Sequence, residues 1–235
     1  MERVAIERSL PDHTLPLPIP SRLDAPADEA PKIDVRCRVP PRLAFGSTRA
    51  LTMASSATLY RFHIVLSDVD RSVYETLDLR VAQHPSESEE FLAARVVAYC
   101  AAYEEGLAFS RGLSTADEPA LWTKTSDGEI ATWIDIGLPS AERLHRASKL
   151  ARRVIVFTHK RVELLQRQCA GERIHRAEEI RVLAIDPVFI GELVRRLDRN
   201  VRWELAFTGG HLFATVAGAT FETRIEQHEL VVRGE

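Results

Sequence analysis

One acid draws attention because of what surrounds it. Asp135 sits in Ile130-Ala-Thr-Trp-Ile-Asp-Ile, an otherwise apolar stretch that stops at Gly137 and Pro139. In open α/β sheets, ligands bind at the carboxyl ends of strands, so a carboxylate there can serve a site. A carboxylate among Trp133, Ile134 and Ile136 also needs a partner, and a salt bridge to Arg95 or Arg146 is the structural alternative. Glu87 and Glu90 fall in the expected first turn of a helix, where acids also favour the macrodipole. Asp117, followed by Glu118 and Pro119, fits a turn. Arg143, Arg146, Lys149, Arg152, Arg153 and Lys160 form the strongest local positive feature. Such a run is either a solvated helix face or a contact for nucleic acid. His159 follows a strand end, where an exposed histidine is the ordinary case and phosphate binding the alternative. His63, His145, His175 and His211 lack metal-ligand spacing. Gly-x-Ser-x-Gly and the glycine-rich phosphate loops are missing from the sequence.

The elements that position these groups follow from periodicity. Residues 130–136 alternate and are rich in β-branched and aromatic side chains, as a strand requires. Ser140 is placed to cap a helix running to about Arg152. Val154-Ile-Val-Phe-Thr reads as a strand buried on both faces. Together these predict a right-handed β-α-β crossover. Upstream, 58–66 and 73–82 read as strands. Ser86 and Glu89 fit a capping box for a helix from Glu87 to about Glu105, with Phe91, Ala94, Val97, Ala98, Ala101 and Ala102 at helical spacing. Short strands follow at 107–111 and 120–124, with a loop at 112–119 and a turn at 126–128. Helices are expected over 162–169 and 187–196, and a strand over 180–185. A final meander at 202–207, 212–216 and 220–226 needs a partner, and the strands after Met53 are a natural one.

The chain has 235 residues, 45% hydrophobic and 28% charged, with a formal net charge of −3. That is ordinary for a globular protein and provides no global basic field. The three cysteines are widely spaced, which argues against a disulfide framework or a zinc site. No secretory signal or membrane span is expected, and a cytoplasmic setting follows. Residues 1–53 differ from the rest. Eight of the twelve prolines fall there, and Leu15-Pro-Leu-Pro-Ile-Pro has no helix or strand period. The composition predicts disorder. Met53 precedes the first strand, so the segment reads as a false start, with a partner-recruiting arm or an inert tail as the alternatives. Residues 54–235 are expected to form a single domain.

Ala57-Thr-Leu-Tyr-Arg-Phe, His84-Pro-Ser-Glu-Ser-Glu-Glu, Phe109-Ser-Arg-Gly-Leu, Asp117-Glu-Pro-Ala-Leu-Trp and Trp133-Ile-Asp-Ile-Gly-Leu-Pro occur in this order. With the helix and Val154-Ile-Val-Phe-Thr that follow, they resemble the YaeQ family over residues 57–232. The resemblance implies an α+β fold with a mixed β-sheet. Its core would be restriction-endonuclease-like (helix, three strands, helix, strand), as in PD-(D/E)XK nucleases, with antiparallel strands added by both chain ends. It also implies a Mg²⁺-dependent phosphodiesterase acting on nucleic acid. Glu87 or Glu90, Asp117 and Asp135 would form the metal shell, because a hard cation takes oxygen ligands. Arg146 or Lys149 would stabilise charge in the transition state. The sequence departs from that pattern at Gly137, where the motif's lysine should stand; Arg146, Lys149 or Lys124 would be a displaced cation. The missing lysine favours the alternative, a nuclease-like fold without catalysis that serves as a binding or regulatory module.

Overall fold

The computed structural model describes residues 57–110 and 117–232. The proline-rich segment 1–53 and most of the loop expected at 112–119 lie outside the described residues.

Two sheets organise the chain. The first joins β1 (Thr58–Asp68) and β2 (Val73–Gln83) to β8 (Asn200–Thr208), β9 (His211–Val216) and β10 (Ala219–Arg224), in the order β10-β9-β8-β1-β2. The strands from the two ends of the domain thus share a sheet. Their junction is parallel, however: Phe62 lies opposite Val201 and Ile64 opposite Trp203. The expectation of purely antiparallel additions is corrected at that pair. The long stretch of chain between β1 and β8 permits a crossover that hairpins do not.

The second sheet has the order β11-β7-β6-β5-β4-β3. Its parallel centre is β5 (Ile130–Ile136), β6 (Ala151–Thr158) and β7 (Arg181–Ala184). β3 (Ala108–Phe109) and β4 (Leu121–Lys124) add antiparallel on one side. On the other side β11 (Glu226–Glu229) pairs with β7, so the last of the described strands leaves the meander for the second sheet.

Among the described residues the α-helices are α1 (Glu89–Ala101), α2 (Ala141–Leu150), α3 (Val162–Cys169) and α4 (Pro187–Val194). From α1 to β6 the order is helix, three strands, helix, strand. Every residue of α1 from Leu92 to Cys100 is buried. One apolar cluster joins α1 and α4 to Phe62, Ile64 and Trp203 of the first sheet and to Ile134, Ile136 and Phe157 of the second. Packed between two sheets, α1 is buried on every side, Arg95 included, so the single apolar face expected from its spacing is too narrow a description. A second cluster covers the other face of the second sheet. There Trp133, Val154 and Val156 meet Leu144 and Ala147 of α2 and Leu165 of α3.

Two cap assignments differ in outcome. Ser140 caps α2 as expected, its hydroxyl accepting from the Arg143 amide at 3.2 Å. At α1 the cap is Ser88, whose hydroxyl accepts from the Phe91 amide at 3.2 Å. Ser86 instead contacts the His84 ring at 2.7 Å. The helix therefore starts two residues later than the capping-box pattern suggests, and Glu87 precedes it.

Candidate functional site

Alternation along β5 decides where Asp135 faces. Ile134 and Ile136 belong to the cluster around α1, whereas Trp133 belongs to the cluster under α2. Asp135 shares the Trp133 face, because strand side chains alternate. There the first turn of α2 supplies its partner. Arg143 donates Nε to Asp135 Oδ2 at 2.9 Å and Nη2 to Oδ1 at 2.7 Å. The same Nη2 reaches the Glu118 carbonyl at 2.7 Å, and the guanidinium lies 5.6 Å from the Trp133 ring centroid. This two-point hold is among the stronger geometries open to a carboxylate. The partner is Arg143, not the Arg95 or Arg146 expected from the sequence. The tight β5–α2 connection brings Arg143 back over the strand end it has just left.

Glu87 is on the other side of the second sheet. Its buried carboxylate pairs with the buried Arg95 of α1 at 3.0 Å and accepts the His84 amide at 3.0 Å. Arg95 also donates to the Ala82 carbonyl at 2.9 Å, tying the end of β2 to α1. Burial raises the Glu87 carboxyl above its ordinary pKa, against the opposing pull of Arg95. Burial likewise lowers the Arg95 guanidinium, against the pull of Glu87. Glu90 is exposed on the first turn of α1. Its carboxyl is lowered by its own backbone amide and the Ser88 hydroxyl. Asp117 is exposed and pairs with Arg146, which also approaches Glu142 at 3.7 Å.

The expected carboxylate cluster is therefore not assembled. A sheet stands between Asp135 and Glu87, and Asp135, Glu87 and Asp117 each hold an arginine. Among the described residues, no three His, Cys, Asp or Glu side chains come together as ligands for a metal ion. The acids do not fit the oxygen shell that Mg²⁺ requires. Gly137 adopts a left-handed backbone, φ +85°, where its amide donates to the Phe157 carbonyl at 2.8 Å. A lysine there would be strained, which gives the departure from the motif a local cause.

The basic stretch is largely neutralised. Besides Arg143 and Arg146, Arg152 pairs with Glu129 at 2.8 Å and Arg153 with Glu104 at 2.6 Å. Lys149 and Lys160 are exposed. His159, expected at the surface, is 4% exposed, and its Nδ1 has no hydrogen-bond partner among the described residues. Burial and the neighbouring Lys160 lower its pKa to about 4. Glu104 escaped sequence reasoning because its partners, Thr123, Thr132 and Arg153, come from three different strands.

The fold and site thus define an α+β protein with two mixed sheets around a buried helix and arginine-clamped acids at its strand ends. Residues 53–225 match the model of the family described as YaeQ protein, and the chain belongs to the YaeQ family. It is 36% identical over 107 residues to the Escherichia coli (strain K12) protein named "Uncharacterized protein YaeQ". That match spans 46% of this chain and 59% of the relative's length, under two thirds of it. A relative of the same name from Salmonella typhi is 28% identical over 174 residues, covering 74% of this chain and 96% of the relative. Among solved structures, the YaeQ protein from Pseudomonas syringae superposes with a TM-score of 0.67 at 32% identity. It covers 73% of this chain and 95% of its own. The one from Xanthomonas axonopodis pv. citri gives 0.64 at 27% identity, covering 74% and 99%. Among the described residues, no helix is long and apolar enough to cross a membrane.

Proposed function

We propose that this YaeQ-family chain is a binding module built on a nuclease-like core, without metal-dependent phosphodiester chemistry. The order helix, three strands, helix, strand from α1 to β6 supports the nuclease-like reading of the core. The observation that carries the rest is the hold of Arg143 on both oxygens of Asp135. A carboxylate committed to a guanidinium is a poor ligand for a hard cation, because the arginine charge repels the metal and occupies its oxygens. The stretch Arg143–Lys160 is correspondingly weak as a nucleic-acid surface, since four of its six cations already face carboxylates.

The test is incubation of the purified chain with labelled single- and double-stranded DNA and RNA in Mg²⁺ or Mn²⁺, beside an Asp135→Ala control. The expected result is no cleavage above the control. Metal-dependent cleavage that Asp135→Ala abolishes would overturn the reading.

A further inference from the structure

Among the described residues, the first sheet ends at β2 on one side and at β10 on the other. β10 has six residues, and the edge strands of the second sheet, β11 and β3, have four and two. β2 has eleven, about twice the usual strand length. It pairs with β1 without a register shift, from Val73 opposite Asp68 to Gln83 opposite Thr58. Val73–Gln83 contains no proline, glycine or lysine. Bulges, prolines and lysines are the devices that keep a sheet edge from pairing, and this long edge carries none of them.

Which backbone groups face outward follows from β1. The Arg61 amide donates to the Arg199 carbonyl at 2.7 Å, on the β8 side. Residues opposite one another in an antiparallel pair point their backbone groups either at each other or both away. Arg61 lies opposite Arg80, so Arg80 turns its amide and carbonyl to the outer edge. By the same alternation Tyr74, Thr76, Asp78 and Ala82 do so too. The Ala82 carbonyl agrees, since it accepts from Arg95 of α1 at 2.9 Å. The side chains of Tyr74, Thr76, Asp78, Arg80 and Ala82 are all exposed.

We propose that two copies of this chain join by antiparallel pairing of β2 with β2 around a two-fold axis at Leu79, which makes one continuous sheet from two. In that register Asp78 lies opposite Arg80 of the second copy, and Arg80 opposite its Asp78. Each of these pairs exchanges two backbone hydrogen bonds, because both residues face the edge. On the core face Leu77 meets Val81, and the half-buried Leu79 meets its own copy. An axis at Asp78 or at Arg80 would set like charges opposite, which is destabilising. An axis at Leu77 would face Asp78 and Arg80 with Thr76 and Tyr74. Charge complementarity therefore selects Leu79. Asp78 also meets His63 at 2.8 Å, and Arg80 is engaged within its own chain as well. Both side chains are exposed, that of Asp78 by 83%, and such contacts are weak enough to admit a second partner. A two-fold axis uses the same edge on both copies and closes the assembly at two. β2 lies in the other sheet from Asp135, and the pairing does not depend on how that carboxylate is read.

Sedimentation velocity of the full chain over a wide concentration range tests this. A monomer–dimer equilibrium is expected. Asp78→Arg and Arg80→Asp each set like charges opposite in both pairs, and each is expected to weaken the dimer about tenfold. Asp78→Arg combined with Arg80→Asp restores opposite charges in the same register and is expected to recover wild-type association. Arg224→Asp, an exposed change of the same size on β10, is expected to leave association unchanged. Thermal midpoints close to wild type establish that these surface variants are folded. A chain that sediments as a monomer at every concentration overturns the proposal. So does a dimer indifferent to both single variants, one that the double variant fails to restore, or one weakened equally by Arg224→Asp.

Discussion

Arg143 grips Asp135 from a distance of eight residues in sequence, one nitrogen to each carboxylate oxygen. The Asp135 side chain is 4% exposed and that of Arg143 27%. Removing the arginine strands a buried charge, whereas removing the exposed Arg146 strands nothing. Arg143→Ala is expected to cost about 2–4 kcal/mol in urea unfolding. Arg146→Ala is expected to cost less than about 1 kcal/mol, as for other surface pairs. Equal losses would show that the Asp135 clamp contributes nothing special.

The Glu87–Arg95 pair is more deeply buried, with side chains 0% and 2% exposed. Arg95→Ala should destabilise by about 3–5 kcal/mol, because it leaves a carboxylate in an apolar layer. Replacing both members, as in Glu87→Leu with Arg95→Met, should recover most of that loss. The penalty comes from the unpaired charge more than from the missing attraction. A double-mutant cycle in denaturant gives the coupling directly.

His159 sets a pH dependence whose sign is fixed by its environment. Burial and Lys160 hold its pKa at about 4, below the ordinary 6.5, with Glu90 opposing. The folded state therefore binds fewer protons than the unfolded chain between these values. The corresponding stability is present above pH 6.5 and is lost as pH falls toward 4, by about 3 kcal/mol in total. Urea midpoints measured between pH 7.5 and 4 should fall less steeply in His159→Gln than in wild type. Identical slopes would mean that the histidine is not buried as neutral imidazole.

Asp70, in the β1–β2 turn, accepts the amides of Gly209 at 2.9 Å and Gly210 at 3.2 Å, more than a hundred residues away. These two bonds lower its carboxyl below the usual range. Asp70→Ala should speed hydrogen exchange at the Gly209 and Gly210 amides while leaving the β5 amides protected. Unchanged exchange at the two glycines would remove the contact from the account of the β8–β9 turn.

Local features were readable without coordinates. The β-branched run 130–136, the Ser140 cap and the apolar run at 154–158 specify a strand, a helix and a strand, and all three are present. At α1 the capping-box pattern points to Ser86, because Glu89 stands three residues after it whereas Phe91 stands three after Ser88, the residue that caps the helix. Tertiary packing chose between them by burying Glu87 against Arg95. That the first strands and the final meander share a sheet was legible, but the parallel direction of the β1–β8 junction and the departure of β11 to the second sheet had no local signal, since both depend on how the intervening chain packs.

The sequence by itself determined which residues bear charge and which short runs become strands or helices, because propensity, capping and period act over a few residues. Only the tertiary structure decided which acids meet which cations. Asp135 and Glu87 are both acids beside apolar elements, yet a sheet divides them, and the face each occupies depends on register and layer order. Side-chain chemistry is carried by the single residue, while convergence belongs to the packing of distant elements, and in this chain the packing gave Asp135, Glu87 and Asp117 an arginine each.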